Sequence, residues 1–231
     1  LNKYISGVIT YEETLLDDNL RKLLKDQDIV IGIKVDKGIK ELAGTDDETV
    51  TQGLDDLDIR CKKYYDLGAR FAKWRGVLKI DLKNSCPSTL AINQCAETLA
   101  RYASICQING LVPIVEPEIL MDGDHDIEQC CLITDKVIST VYMKLREHNV
   151  LLEGTLLKPN MVRKGQSNKS EFCPASIAYY TITALKRSVP IAVPGIMFLS
   201  GGMSEQDASD TLNEINKFVN STDKIWNLSF S

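Results

Sequence analysis

Short apolar, β-branched runs return along this chain about every forty residues. They are Ile5 to Thr10, Ile29 to Val35, Val77 with its flanks, Leu111 to Val115, Val150 to Leu157 and Ile191 to Leu199, with Ile225 to Phe230 closing the series. Helical patterns lie between most of them. From Ile127 the positions Cys130, Cys131, Thr134, Val137, Ile138, Val141 and Leu145 keep helical spacing and form one face. Ser88 to Gln107 is a second helix, stopped by Asn109-Gly110, and Ala175 to Arg187 is a third. Ser204, with Asp207 three residues on, opens a fourth like a capping box.

Nearly continuous apolar strands that alternate with helices indicate parallel pairing in an α/β fold. An open dinucleotide-binding sheet should carry a Gly-x-Gly-x-x-Gly turn after a strand, and the chain has none. Instead a polar residue follows strand after strand: Lys34, Lys73, Glu116, Lys158 and Ser200, at intervals of 39, 43, 42 and 42 residues. Functional groups at the carboxyl ends of successive strands mark the (β/α)8 TIM barrel. Eight units of about 40 residues need more than the roughly 250 usual for that fold. The sequence therefore predicts one partial barrel domain over residues 1–231, with seven of eight strands and the missing first strand expected before Leu1.

Composition narrows the function classes. With 27 basic against 32 acidic side chains the net charge is −5, which argues against nucleic acid as the main partner. A few cations gathered in one cleft still suffice for a small phosphorylated ligand. No apolar run approaches the ~18–20 residues of a membrane span, so no membrane partner is expected. Seven cysteines, none in a Cys-x-x-Cys pair, suit a reducing cytoplasmic setting. The neighbours Cys130 and Cys131 fall on an apolar stripe and read as core packing rather than a redox pair. The two histidines, His125 and His148, lie far apart, so no metal site is expected.

The charged pairs Lys34/Asp36, Lys73/Arg75 and Glu116/Glu118 are each two residues apart, which places both members on one strand face. Lys158 closes an apolar run and precedes Pro159, which holds it extended. A nucleophilic lysine must lose a proton from a group whose reference pKa is about 10.4. Burial and a nearby cation both favour that loss, and Lys73, two strands earlier, is the expected cation. On these grounds alone Lys158 is a candidate, and a plain surface charge is the alternative. Glu116 follows Leu-Val-Pro-Ile-Val and suits either acid/base work or a structural ion pair. Ser200-Gly201-Gly202 before a helix start suits an anion cradle or a simple turn.

At these residues the chain resembles the class I fructose-bisphosphate aldolases. The motifs are Gly32-Ile-Lys-Val-Asp-Lys-Gly38, Phe71-Ala-Lys-Trp-Arg75, Val112-Pro-Ile-Val-Glu-Pro-Glu-Ile-Leu120, Asp122-Gly-Asp-His125, Leu152-Glu-Gly-Thr-Leu-Leu-Lys-Pro-Asn-Met161 and Phe198-Leu-Ser-Gly-Gly202. Leu42-Ala-Gly-Thr45 and Thr51-Gln-Gly-Leu-Asp55 match as well. The resemblance implies a lyase of glycolysis and gluconeogenesis that needs no cofactor. It would cleave fructose 1,6-bisphosphate reversibly to dihydroxyacetone phosphate and glyceraldehyde 3-phosphate. Lys158 is then the Schiff-base lysine, Glu116 the acid/base, and Lys73 the cation that eases loss of the nucleophile's proton and stabilises oxyanion charge. Lys34 and Arg75 match cations around the substrate, Glu118 a carboxylate that positions them, Ser200 and Gly201 the phosphate turn, and Ser231 a strand-eight residue beside it. A homotetramer is expected for the full-length protein.

The departures are at the ends and in one connection. The family's first-strand aspartate would lie before Leu1, while its Tyr-Gly-Arg and mobile tail ending in tyrosine would follow Ser231. The segment between Leu15 and Gly32 is a few residues short, which is expected to trim a loop. Another Schiff-base barrel would lack the Lys-Trp-Arg and Glu-Pro-Glu motifs. A catalytically silent relative should have lost Lys158, Glu116 or Lys73, and all three are present.

Overall fold

The computed structural model describes residues 3–220 and 225–231. In chain order the elements are β1 (Gly7–Thr10), α1 (Glu12–Leu15), α2 (Asp18–Asp26), β2 (Val30–Lys34), β3 (Ile39–Glu41), β4 (Thr49–Thr51), α3 (Leu57–Asp66), β5 (Phe71–Lys79), α4 (Thr89–Ile108), β6 (Val112–Leu120), α5 (Ile127–Glu147), β7 (Leu156–Leu157), α6 (Pro174–Ser188), β8 (Gly195–Phe198), α7 (Glu205–Asn220) and β9 (Asn227–Phe230). Seven strands form one parallel sheet in the order β1-β2-β5-β6-β7-β8-β9, each beside the next in the chain. β3 and β4 make a separate antiparallel ribbon after β2. Parallel neighbours in chain order, with a helix in most of the connections, are the arrangement of a TIM barrel. Among the described residues seven strands make up this sheet, with β1 and β9 at its two edges.

The alternation along β5 explains how charges sit inside a strand. Ala72, Trp74, Gly76 and Leu78 are buried, while Phe71, Lys73, Arg75 and Lys79 are half-buried on the other face. The buried face packs on α4, whose Tyr102 hydroxyl lies 2.7 Å from the Ala72 carbonyl and 3.1 Å from that of Ile114. The Tyr102 ring also packs on Trp74, with centroids 5.4 Å apart. One side chain from the outer layer thus ties β5 to β6 directly behind the lysine position.

Helix ends follow the local signals. Ser88 Oγ accepts from the Ala91 amide and Gly110 turns the chain at φ +76° after α4. The Asp207 amide donates to Ser204 Oγ at 3.1 Å. A reciprocal capping pair, Asp126 with Gln129, starts α5 at the expected Ile127.

Three expectations need correction. Val150 to Leu157 is mostly not strand: residues Leu152–Gly154 form a 3₁₀ turn, and only Leu156–Leu157 pair in the sheet. Gln107 intervenes, donating to the Leu151 and Gly154 carbonyls and accepting from the Leu151 amide, so these backbone groups are satisfied without a ladder. Ile191 to Leu199 begins pairing only at Gly195, because Pro190 and Pro194 bracket a turn and proline has no amide to give. The segment between Leu15 and Gly32 keeps ordered structure. It contains α2, capped by Asp17, whose carboxylate accepts from the Asn19 and Leu20 amides. Two of the polar positions also lie inside strands rather than at their ends, since β5 and β6 continue well beyond Lys73 and Glu116.

Candidate active site

Register brings the candidate side chains together. Lys34 on β2 pairs with Lys73 on β5, Arg75 pairs with Glu116 on β6, and the Lys158 amide donates to the Val115 carbonyl at 2.8 Å. Inward side chains from β5, β6 and the end of β7 therefore meet at one level of the sheet.

Glu116 is the centre of this cluster. Its carboxylate is 3% exposed, with Oε1 3.1 Å from Lys158 Nζ and Oε2 3.3 Å from Lys73 Nζ. The first contact is a hydrogen bond; the second is an ion-pair contact without hydrogen-bond geometry. Each lysine side chain is 12% exposed. The sequence suggests two like charges acting on each other. In the structure a carboxylate bridges them instead, hydrogen-bonded to Lys158, with which it can exchange a proton, and in ion-pair contact with Lys73. A buried amine–carboxylate–amine row suits addition of an amine to a carbonyl with proton transfer alongside.

The flanking charges form a second set. Arg75 Nε donates to Glu118 Oε2, and this carboxylate holds the guanidinium above its ordinary pKa. Lys34 Nζ is tied to Asp36, 2.7 Å from Oδ1 and 3.0 Å from its carbonyl. Asp36 also accepts from the Gly38 and Arg75 amides, so it connects β2 to β5. Thr51 on the ribbon donates to the Arg75 carbonyl at 2.7 Å. Lys34 thus stands beside the Glu116 cluster and contacts Asp36 rather than Glu116.

Ser200, Gly201 and Gly202 line a cavity of about 320 Å³ together with Glu116, Glu118 and Gln166. The turn needs its glycines: Gly201 and Gly202 have φ of +58° and +78°, where side chains are strained. A Cβ on Gly202 would also stand 2.8 Å from Gln166 Nε2. Ser231 follows β9, and its amide donates to the Phe198 carbonyl at 3.1 Å. Its side chain is exposed, and the residue is not among those lining the cavity.

Several supporting residues escaped the sequence reading. Asn160 is buried, accepts from the Ile119 amide at 2.8 Å and donates to the Met161 carbonyl, fixing the chain just after Lys158. Its place two residues after the lysine was the available signal. Asp36, by contrast, is the strand-face partner that the sequence pairs with Lys34, and the two are hydrogen-bonded. Gln166 and Arg163 gave none, because their approach to the glycine turn is purely tertiary. Among the described residues no group of three or more His, Cys, Asp and Glu is arranged to hold a metal ion.

The family model for class I fructose-bisphosphate aldolase matches residues 1–231. A non-muscle fructose-bisphosphate aldolase of Lethenteron camtschaticum is 59% identical over 236 aligned positions, covering all of this chain and 64% of the relative. The cytosolic fructose-bisphosphate aldolase 4 of Arabidopsis thaliana is 55% identical, covering 99% of this chain and 58% of its own length. The solved fructose-bisphosphate aldolase of Plasmodium falciparum, in a ternary complex with TRAP and a small-molecule inhibitor, superposes with a TM-score of 0.96 at 51% identity, over 100% of this chain and 67% of that one. The chain thus spans about two thirds or less of the length of these relatives. A family match along the whole chain, joined to a parallel barrel sheet with its charged residues in register, means that the chain belongs to the class I fructose-bisphosphate aldolases.

Proposed function

We propose that the full-length protein cleaves fructose 1,6-bisphosphate reversibly into dihydroxyacetone phosphate and glyceraldehyde 3-phosphate. The observation that carries this reading is the Glu116 carboxylate set between the amines of Lys158 and Lys73. Lys158 passes a proton to Glu116 and adds to the ketose C2 carbonyl. The carbinolamine loses its hydroxyl as water, with Glu116 returning the proton, and leaves a protonated imine. Electrons of the C3–C4 bond flow into that imine, the aldehyde departs, and an enamine remains. Protonation at C3 and hydrolysis then release the ketone and restore the amine. Lys73 stabilises oxyanion charge during addition. Lys34 and Arg75 face the substrate's oxygens, with Glu118 holding Arg75, and the Ser200-Gly201 turn with Ser231 receives a phosphate. The base for the C4 hydroxyl, an eighth strand and a C-terminal tail come from protein outside these residues. The 231 residues form one partial barrel domain of a homotetramer, and the setting is cytoplasmic, a reading favoured by similarity to the cytosolic Arabidopsis relative.

The test uses full-length protein, dihydroxyacetone phosphate and borohydride. Hydride reduction of the imine should leave one adduct per chain, on Lys158. An adduct on another residue, or none, overturns the assignment.

A further inference from the structure

The loop that follows the Lys158 strand also reaches the glycine turn. Arg163 Nη1 donates to the Gly201 carbonyl at 3.0 Å. The guanidinium is half-buried, its Nε has no hydrogen-bond partner, and it forms no ion pair among the described residues. Burial disfavours the charge and lowers its pKa, outweighing the opposing pull of Cys130 and of Asp207, which forms no ion pair with it. A half-buried cation without an ion-pair partner is stabilised when an anion binds nearby.

Peptide geometry fixes what this contact does. The Gly201–Gly202 unit is planar and trans, so its N–H points opposite to its C=O. Arg163 lines a separate cleft with Ile127, Phe172 and Cys173, whereas Gly201 and Gly202 line the 320 Å³ cavity shared with Glu116. With its carbonyl drawn toward Arg163, the unit turns the Gly202 N–H to the cavity side. Gln166, on the same loop and anchored through its amide to the Met121 carbonyl at 2.7 Å, occupies the space a Cβ on Gly202 would need.

We propose that Arg163 is a positioning residue for the substrate phosphate: it orients the Gly202 N–H toward the anion and places a positive charge without an ion-pair partner behind the turn. This rests on the reading of Ser200-Gly201-Gly202 as the phosphate site. It also gives the loop after the nucleophile strand a part in phosphate binding as well as in carrying Lys158.

Four variants of the full-length protein test it: Arg163→Ala, Arg163→Lys, Arg163→Gln and Ser200→Asp. Each is assayed by borohydride trapping with dihydroxyacetone phosphate and with unphosphorylated dihydroxyacetone. Arg163→Ala should weaken half-saturation by the phosphorylated ketone roughly tenfold, the scale of a lost charged hydrogen bond, and change trapping of the unphosphorylated one less than about twofold. Arg163→Lys should recover to within about threefold. Should Arg163→Ala fail to fold, Arg163→Gln, which can still donate but carries no charge, replaces it with weakened half-saturation expected. Equal losses with both ketones would reduce Arg163 to a structural tie and overturn the proposal. Ser200→Asp separates the two failures. If it weakens phosphorylated ketone while the Arg163 variants do not, the role of Arg163 alone is overturned; if neither weakens it, the phosphate reading of the turn falls too.

Discussion

Replacing Glu116 by glutamine keeps the shape of the side chain and removes the charge between two lysines. The carboxylate is 3% exposed and contacts Lys158 at 3.1 Å and Lys73 at 3.3 Å. At an effective dielectric near 20, each contact has a Coulomb energy of roughly 5 kcal/mol. Most of that offsets desolvation, and removal of one partner from a buried pair costs about 3–5 kcal/mol. The upper part of that range applies, because two amines lose their partner and no neighbouring carboxylate is spare. Glu118 is engaged by Arg75 and Asp36 by Lys34. Urea unfolding of full-length Glu116→Gln should register this loss. Adding Lys73→Met should recover at least about 1 kcal/mol, since one unpaired cation then disappears. Trapping at Lys158 should slow by about 10²- to 10⁴-fold, the usual contribution of a positioned acid/base. A Glu116→Gln protein as stable as the parent, trapping ketone at the parental rate, would show that the three groups do not work as a unit.

Other consequences concern the frame around that cluster. Cys173 is exposed, and the Ser176 hydroxyl with the first amides of α6 draws its thiol below the ordinary range, while burial pushes Cys95 up to about 12 and Cys130 up to about 11. Brief alkylation of the native protein, read by mass spectrometry, should therefore label Cys173 ahead of the other six, and equal labelling of the buried thiols would contradict this. His125 is buried with neither ring nitrogen partnered, and desolvation lowers its pKa against the opposing pull of Asp124 and Asp126. Its unfolded form takes up a proton first, so stability should decline as pH falls below about 6.5; His125→Leu should lose that component, and an unchanged pH slope would refute it. A methyl group on Gly76 would stand 2.5 Å from Cys95 Sγ but 3.6 Å from Leu99, so Gly76→Ala should cost about 1–3 kcal/mol by overpacking. In a Cys95→Ala background most of that cost should vanish, and purely additive losses would locate the strain elsewhere.

The strand order and the position of the charged cluster were legible because both follow from periodicity. Residues two apart share a strand face, and a parallel sheet in chain order then sets those faces side by side. Strand extents were less legible. Reading β6 as Leu111 to Val115 stops at the first charge, yet the strand runs to Leu120 because Glu116 and Glu118 find Lys73 and Arg75 across the register. The opposite error at Val150 to Leu157 arises from Gln107, a residue over forty positions away that satisfies the backbone of an apolar segment. Helix α2 buries only Leu24 and the two strands of the ribbon only Thr51, so these short polar elements leave little apolar record in the sequence. Periodicity reports which face is buried; it carries no information about which distant side chain claims a carbonyl.

The same distinction separates the parts of the site. Lys73, Glu116 and Lys158 belong to three consecutive strands of the sheet, and Tyr102 binds the first two together from behind. Their meeting needs only local strand register, the most strongly determined feature of an α/β sheet with both faces buried. The glycine turn has no such guarantee. Its backbone conformation is accessible to glycine in many orientations, so register with β9 and the contacts from Arg163 and Gln166 must select one. The arrangement of the Lys158 cluster is therefore the sturdier part of this chain, and the conformation of the glycine turn the part more exposed to substitutions in the loops.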